Sequence, residues 1–327
     1  MVRKILIGLV LLVAAATALF FAGPRVAADT TVRFDAAGIG VDPEAYLQRM
    51  EGAVADIRPR LEKQIVWTDP SRKARTPFAI VYVHGFSASK QEIRPLPDRV
   101  AAALGANLFF TRLTGHGMDG PAMATSSVNA WVNDYAEAIA IGRAIGERVI
   151  VVATSTGASL ASWAATQPAL SQGVAALVLV SPNYGARAAG AELLTMPWGL
   201  QIAHLVGGTE RSFTPLNEAH ERYWTTRYPM AAVLPMAATT DLAFAAPVEQ
   251  ANIPALFVFS DADQVVRAER THAIAERWGA THEILAVGAS GDPSNHVIAG
   301  DALSPQTTEA LSQSVTDWLR RTLPPPG

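Results

Sequence analysis

Val151-Val-Ala-Thr-Ser-Thr-Gly-Ala158 runs from a β-branched apolar stretch straight into a serine with small neighbours. The valines read as a buried strand, and a helix beginning at Gly157 is expected directly after it. At such a strand-to-helix turn a serine hydroxyl projects from the carboxyl edge of the sheet, and the crowding there demands small residues. The pattern is A-x-S-x-G, with Ala153 standing where the fuller motif has a glycine. A serine that merely N-caps a helix looks the same locally, so by itself the stretch leaves a catalytic and a structural reading open.

Outward from Ser155, short apolar runs alternate with longer helical patterns. Strands are expected at Ala79–Val83, Asn107–Thr111, Val149–Ala153, Ala176–Val180, Ala255–Phe259 and His282–Val287. Helices are expected near Pro97–Leu104, Val128–Ile145, Gly157–Thr166, Val266–Trp278 and Gln306–Thr322. Uninterrupted apolar strands of this kind are buried on both faces, which predicts an α/β fold with a mostly parallel sheet and helices on both sides. Residues 78–182 and 252–323 then form the core. The interval 183–251 is too long for a simple crossover; it carries Met196, Trp198, Tyr223, Trp224, Tyr228, Met230 and Met236, and reads as an inserted cap. Residues 29–77 form a polar lead-in segment with a helix near Pro43–Ile57 and a strand at Gln64–Trp67. The Pro324-Pro-Pro326 tail is a chain end without evident structure.

Residues 1–28 are of another kind. Arg3 and Lys4 precede an apolar and small-residue run from Ile5 to Ala22, followed by Gly23-Pro24-Arg25. About 18 residues at 1.5 Å each give roughly 27 Å, close to the hydrocarbon span of a bilayer, which favours an uncleaved anchor. Val26 and Ala28 also meet the needs of signal-peptide cleavage after Ala28. Either way the positive amino end resists translocation, and the globular part is expected outside the cytoplasm, membrane-anchored or, if cleaved, secreted or periplasmic.

Composition narrows the chemistry. A net charge of -3, with no basic block longer than a pair, gives no footprint for nucleic acid. The chain has no cysteine, which excludes a thiol nucleophile, a thiolate zinc site and a disulfide. No HExxH-like pair occurs among the seven histidines, so neither a metal nor a cofactor is expected.

A nucleophilic serine needs a base to take its proton and an acid to orient that base. Both follow in the chain. The strand ending at Phe259 runs into Ser260-Asp-Ala-Asp-Gln-Val-Val266, and a later loop carries Asn295-His296-Val297. Of the two acids, Asp263 stands just before the next helix and is chosen; Asp261 reads as a turn residue. Val83-His84-Gly85-Phe86 follows the first core strand, and a flexible Gly85 lets a backbone N–H curl inward. The amides of Phe86 and Thr156 are the expected oxyanion donors, with His84 and Gly157 in supporting positions. His116, His204, His220, His272 and His282 read as structural or surface residues, and Arg112 and Arg187 as salt-bridge partners.

Together, these four ordered motifs resemble the α/β-hydrolase superfamily from about Phe78 to Leu323. His84-Gly-Phe-Ser-Ala-Ser89, Arg94-Pro-Leu96, Thr111-Arg-Leu-Thr-Gly-His-Gly117 and Trp131 are similar to bacterial carboxylesterases and to monoacylglycerol lipases or lysophospholipases. The resemblance implies hydrolysis of a small-molecule carboxylic ester through an acyl-enzyme, with a catalytic triad of Ser155, Asp263 and His296. A thioester, amide or carbon–carbon substrate suits the same triad. A membrane-anchored binding protein of this fold is the alternative of another class.

Overall fold

The computed structural model describes residues 2–323, and the Pro324-Pro-Pro326 tail lies outside them. Helix α1 (Val2–Phe21) has none of its residues buried and meets the body at its carboxyl end, where the Phe20 carbonyl accepts from Trp198 Nε1. The helix α2 (Pro43–Gly52) is N-capped by Asp42, whose carboxylate accepts from the amides of Glu44 and Ala45. It stops short of the expected Ile57 because Gly52 weakens it and the left-handed backbone at Asp56 turns the chain away.

The αβ alternation then follows: β1 (Gln64–Val66), β2 (Thr76–Val83), α3 (Leu96–Leu104), β3 (Asn107–Phe110), α4 (Val128–Ile145), β4 (Gly146–Thr154), α5 (Thr156–Ala164), the single turn α6 (Pro168–Ser171) and β5 (Val174–Val180). Between β5 and the next core strand lie α7 (Gly199–Gly207), β6 (Glu210–Ser212), α8 (Glu218–Tyr223), β7 (Arg227–Pro229) and α9 (Val233–Ala245). The chain returns to the sheet with β8 (Ala255–Phe259), α10 (Ala268–Arg277) and β9 (His282–Ala286), and α11 (Pro305–Thr322) closes it.

Seven strands lie in the order β1-β3-β2-β4-β5-β8-β9. All neighbours are parallel except β1, which runs antiparallel to β3 at the edge. The strand period of two sorts their side chains. Val81, Val83, Val151, Leu177, Leu179 and Phe257 share one core with α4, α5 and α10, while Ile80, Tyr82, Ile150, Val152, Val178 and Val258 share the other with α3 and α11. This two-sided burial is why the strands read as unbroken apolar runs. Short β6 and β7 pair only with each other, and β6 is exposed throughout, so no apolar pattern marks them.

The lead-in segment is tied to this body. The backbone amides of Arg33 and Phe34 donate to Asn133 Oδ1 on α4. Glu51 receives two hydrogen bonds from Arg112, at 2.9 and 2.7 Å, and Lys63 pairs with Glu137, which also accepts from Tyr46 Oη at 2.7 Å. Buried ion pairs of this kind destabilise strongly when one partner is lost, because the other charge is left without compensation.

Trp131 on α4 is fully buried and donates from Nε1 to the Thr114 carbonyl at 3.0 Å. Trp131→Ala is therefore expected to cost about 3–5 kcal/mol, read as a lower midpoint in urea denaturation followed by intrinsic fluorescence.

Candidate active site

The carboxyl ends of β2, β4 and β8 bring together residues that are far apart in the chain. Ser155 follows β4 with φ 50° and ψ -117°, a backbone conformation that L-residues rarely occupy. It is fixed from both sides: its amide donates to the Val180 carbonyl at 2.9 Å, and its carbonyl accepts from Ser159 and Asn183. The turn is tight enough that a β-carbon at Gly157 would lie 2.5 Å from the carbonyl oxygens of both Val83 and His84. At Ala153 no such restriction holds, and its methyl lies in the core beside β2 and β5.

His296 Nε2 lies 3.0 Å from Ser155 Oγ, and His296 Nδ1 lies 2.8 Å from Asp263 Oδ2. The second oxygen of Asp263 accepts from the amides of Val265 and Val266, so this buried carboxylate is held at a fixed angle to the ring. Burial alone would lower the His296 pKa. The hydrogen bond and charge of Asp263, with the charges of Glu92 and Asp292 beyond it, outweigh burial and hold it above the ordinary 6.5. Asp261 is exposed and pairs with His272 at 2.8 Å, away from His296.

Phe86 and Thr156 line the same cavity as Ser155, and the amide of neither donates to an acceptor among the described residues. Gly85 passes so close that a β-carbon there would sit 3.0 Å from Ser155 Cβ. His84 accepts from the Leu113 amide at Nε2 and so donates from Nδ1 to the Gly85 carbonyl. Burial lowers its pKa to about 4, so the ring is a neutral strut. His116 does likewise, accepting from the Ser87 amide at 3.0 Å. Arg112 is committed to Glu51, and Arg187 lies exposed on the surface. Among the described residues no group of three or more His, Asp or Glu side chains is placed to hold a metal ion.

Residues 80–302 match the sequence model of the alpha/beta hydrolase family. The chain belongs to that family. Among solved structures it is similar to a metagenome-derived lipolytic enzyme of the LipS and LipT study, with 19% identity over 81% of this chain and 100% of that one and a TM-score of 0.64. It is similar also to a soluble variant of monoglyceride lipase from Saccharomyces cerevisiae (9% identity, 80% and 92% covered, TM-score 0.61). A third likeness is to a monoacylglycerol lipase from Paleococcus ferrophilus (16%, 81% and 100%, 0.56). At these identities the likeness is one of fold. No curated protein sequence matches the chain.

Over the Ser155 hydroxyl, this α/β-hydrolase carries a cavity of about 600 Å³. Its far wall comes from the segment between β5 and β8, with Leu194, Ile202, Phe213, Trp224, Met230 and Val233 among its apolar contributors. Such a size and lining suit an apolar small molecule.

Two buried acids that sequence reasoning did not single out shape the site. Asp292 accepts from the amides of Ser294, His296 and Val297 and from Ser294 Oγ, folding the loop that presents the imidazole. These bonds outweigh its burial and lower its pKa. The signal was present in Asp292-Pro-Ser-Asn-His296, since an Asp two residues before a donor forms an Asx-turn. Glu92 accepts from the Gly85 amide at 2.7 Å and from Tyr82 Oη at 3.0 Å, bracing the strand-end loop beneath Phe86.

Asp292→Ala removes four donors' common acceptor. Turnover is expected to fall about tenfold or more, one decade for each 1.4 kcal/mol of lost positioning, measured as kcat/KM on a soluble ester.

Proposed function

We propose that this α/β-hydrolase is a membrane-anchored serine esterase that cleaves carboxylic esters with an apolar acyl group through an acyl-enzyme. The observation that carries the reading is the continuous relay Asp263–His296–Ser155 beside two uncommitted amides at the floor of an apolar cavity. In this reading residues 78–182 and 252–323 are the catalytic core, 183–251 a cap over it, 29–77 a lead-in segment and 1–28 an anchor. A lipolytic enzyme and two monoacylglycerol lipases sharing the fold support the choice of ester.

In the first step His296 Nε2 takes the Ser155 proton as Oγ attacks the ester carbonyl, and Asp263 holds the Nδ1–H tautomer and stabilises the imidazolium. The oxyanion is received by the Phe86 and Thr156 amides, which need no reorganisation because the strand ends already hold them. His296 then protonates the departing alcohol. Water, deprotonated by the same nitrogen, attacks the acyl-enzyme and restores Ser155 with release of the acid.

The anchor rests on α1, 20 residues that carry no charge but Arg3 and Lys4 and no other polar side chain but Thr17, unburied and long enough to cross a bilayer. With Arg3 and Lys4 retained in the cytoplasm, the catalytic body lies on the opposite side.

Fluorophosphonate labelling of the full chain in detergent tests the assignment: label and p-nitrophenyl ester turnover vanish together in Ser155→Ala, and persistence of either overturns it. Asp263→Asn should lower turnover on the order of 10⁴-fold, whereas Asp261→Asn, which touches only exposed His272, should stay within about twofold.

Only neutral His296 can accept the serine proton, so kcat/KM rises as pH climbs through the imidazole pKa. With that pKa raised by Asp263, the acid limb is expected above pH 6.5. In Asp263→Asn the residual activity should show the limb at lower pH, read from a pH profile of kcat/KM.

A further inference from the structure

The inserted segment and the amino-terminal helix meet at one tryptophan. Trp198 Nε1 donates to the Phe20 carbonyl at 3.1 Å, and the Trp198 amide donates to the Pro24 carbonyl at 2.8 Å. Gly23 lies against the indole so closely that a β-carbon there would fall 2.1 Å from Nε1. The point where α1 ends is thus clamped to the start of α7, which begins at the next residue, Gly199. Tryptophan, with an apolar body and one donor, is the residue type enriched where protein crosses from lipid to water.

The surface that this clamp holds beside α1 is unusual in what it lacks. From Leu193 to Thr209 the chain carries no Asp, Glu, Lys or Arg. Leu205 and Val206 are 88% and 82% exposed, and Leu193 and Met196 are exposed as well. Of the ten exposed large apolar residues beyond α1 among the described residues, these are four. Such a concentration calls for an apolar partner, because single scattered apolar residues are ordinary but four exposed ones within one uncharged stretch of chain are not. The same helix lines the catalytic cavity with Ile202, Ala203 and Val206. Leu205 and Met196 are exposed outside the cavity, while Val206 and Leu193 are exposed and also line it, so the apolar surface adjoins the cavity mouth.

We propose that the uncharged surface from Leu193 to Thr209 beds into the face of the bilayer that α1 spans, so that ester substrates pass from the lipid directly into the cavity over Ser155. The inference rests on α1 being a retained anchor and on the esterase reading above. Geometry selects the bilayer as the occupant. A nine-residue helix extends about 13 Å at 1.5 Å per residue, so α7 cannot leave the neighbourhood of the helix end to which its first turn is bonded. An amphipathic element lying flat there buries its apolar side in the headgroup boundary while its other side borders the cavity. The cap would then be the entrance, and the anchor would fix its orientation.

The absence of cysteine makes the test direct. Full-length Leu205→Cys, labelled with the fluorophore NBD and reconstituted in phosphatidylcholine–phosphatidylglycerol vesicles, should emit to the blue of the detergent-free soluble dye and be quenched by shallow doxyl lipid. Arg72→Cys, on an exposed loop before β2 at the opposite edge of the sheet, should show neither effect. In parallel, Leu205→Glu, which does not line the cavity, should lower hydrolysis of a monoacylglycerol held in the vesicles about tenfold and leave p-nitrophenyl acetate within about twofold.

Water-like emission at residue 205 from protein that floats with the vesicles would overturn the docking and leave the anchor standing. An equal loss on both esters in Leu205→Glu, or no loss on either, would overturn it too. Protein that fails to float would overturn anchor and docking together, and ester turnover surviving in Ser155→Ala would strike the serine assignment and the route to Ser155 while leaving the bilayer contact standing.

Discussion

The backbone of Ser155 is held where an L-residue rarely stays, and the rest of the site is arranged around that point. At φ 50° and ψ -117° the conformation costs on the order of 1–3 kcal/mol, and it persists only because its surroundings leave no other path. Strand β4 enters between β2 and β5, the Ser155 amide is committed to Val180, and α5 is pressed against the β2 carbonyls with no room for a side chain at Gly157. The Ser155 α-carbon, the Thr156 amide and the Phe86 amide are consequently set by main chain. Side-chain freedom enters at the Ser155 hydroxyl and at His296, and the hydrogen bond between them, with Asp263 and the Asp292-braced loop behind the imidazole, restricts it.

What could be read from the sequence is what repeats or what is pressed on from both sides. The central strands are apolar without a break because helices cover each face, and α/β architecture follows from that pattern alone. Ser155 and Asp263 are read from strand ends and His296 from the loop after the last strand, and the structure brings His296 within hydrogen-bonding reach of both others. Helix ends were less legible: α2 stops at Gly52 because of local backbone geometry that periodicity does not carry. The β6–β7 pair is short and largely exposed, so it left no alternation to find.

Glu92 and Asp292 were missed for a different reason. Both are carboxylates whose meaning is given by the amides they accept from: for Asp292 the Asx-turn pattern marks the loop but not its tie to the imidazole, and for Glu92, whose partners are seven and ten residues away, no local pattern exists. Glu92 is nearly inaccessible and faces the Gly85 amide and the Tyr82 hydroxyl; burial raises its pKa despite these bonds. Asp292 gathers four donors from its own loop, and there the bonds prevail over burial. The contact between Trp198 and the end of α1 joins residues 178 positions apart, and no local pattern foretells it. It does tie the amino-terminal segment to the body, since the end of α1 is bonded to the stretch between β5 and β8 that lines the cavity.

The identity of the attacking atom is the claim on which everything else depends. Rapid acid quenching of the full chain during turnover of a p-nitrophenyl ester, followed by tryptic digestion and mass spectrometry, reads it directly. One acyl group is expected on the peptide Val149–Arg187, localised by fragmentation to Ser155. Turnover with that peptide unmodified, or an acyl group on any other residue of the site, would contradict it.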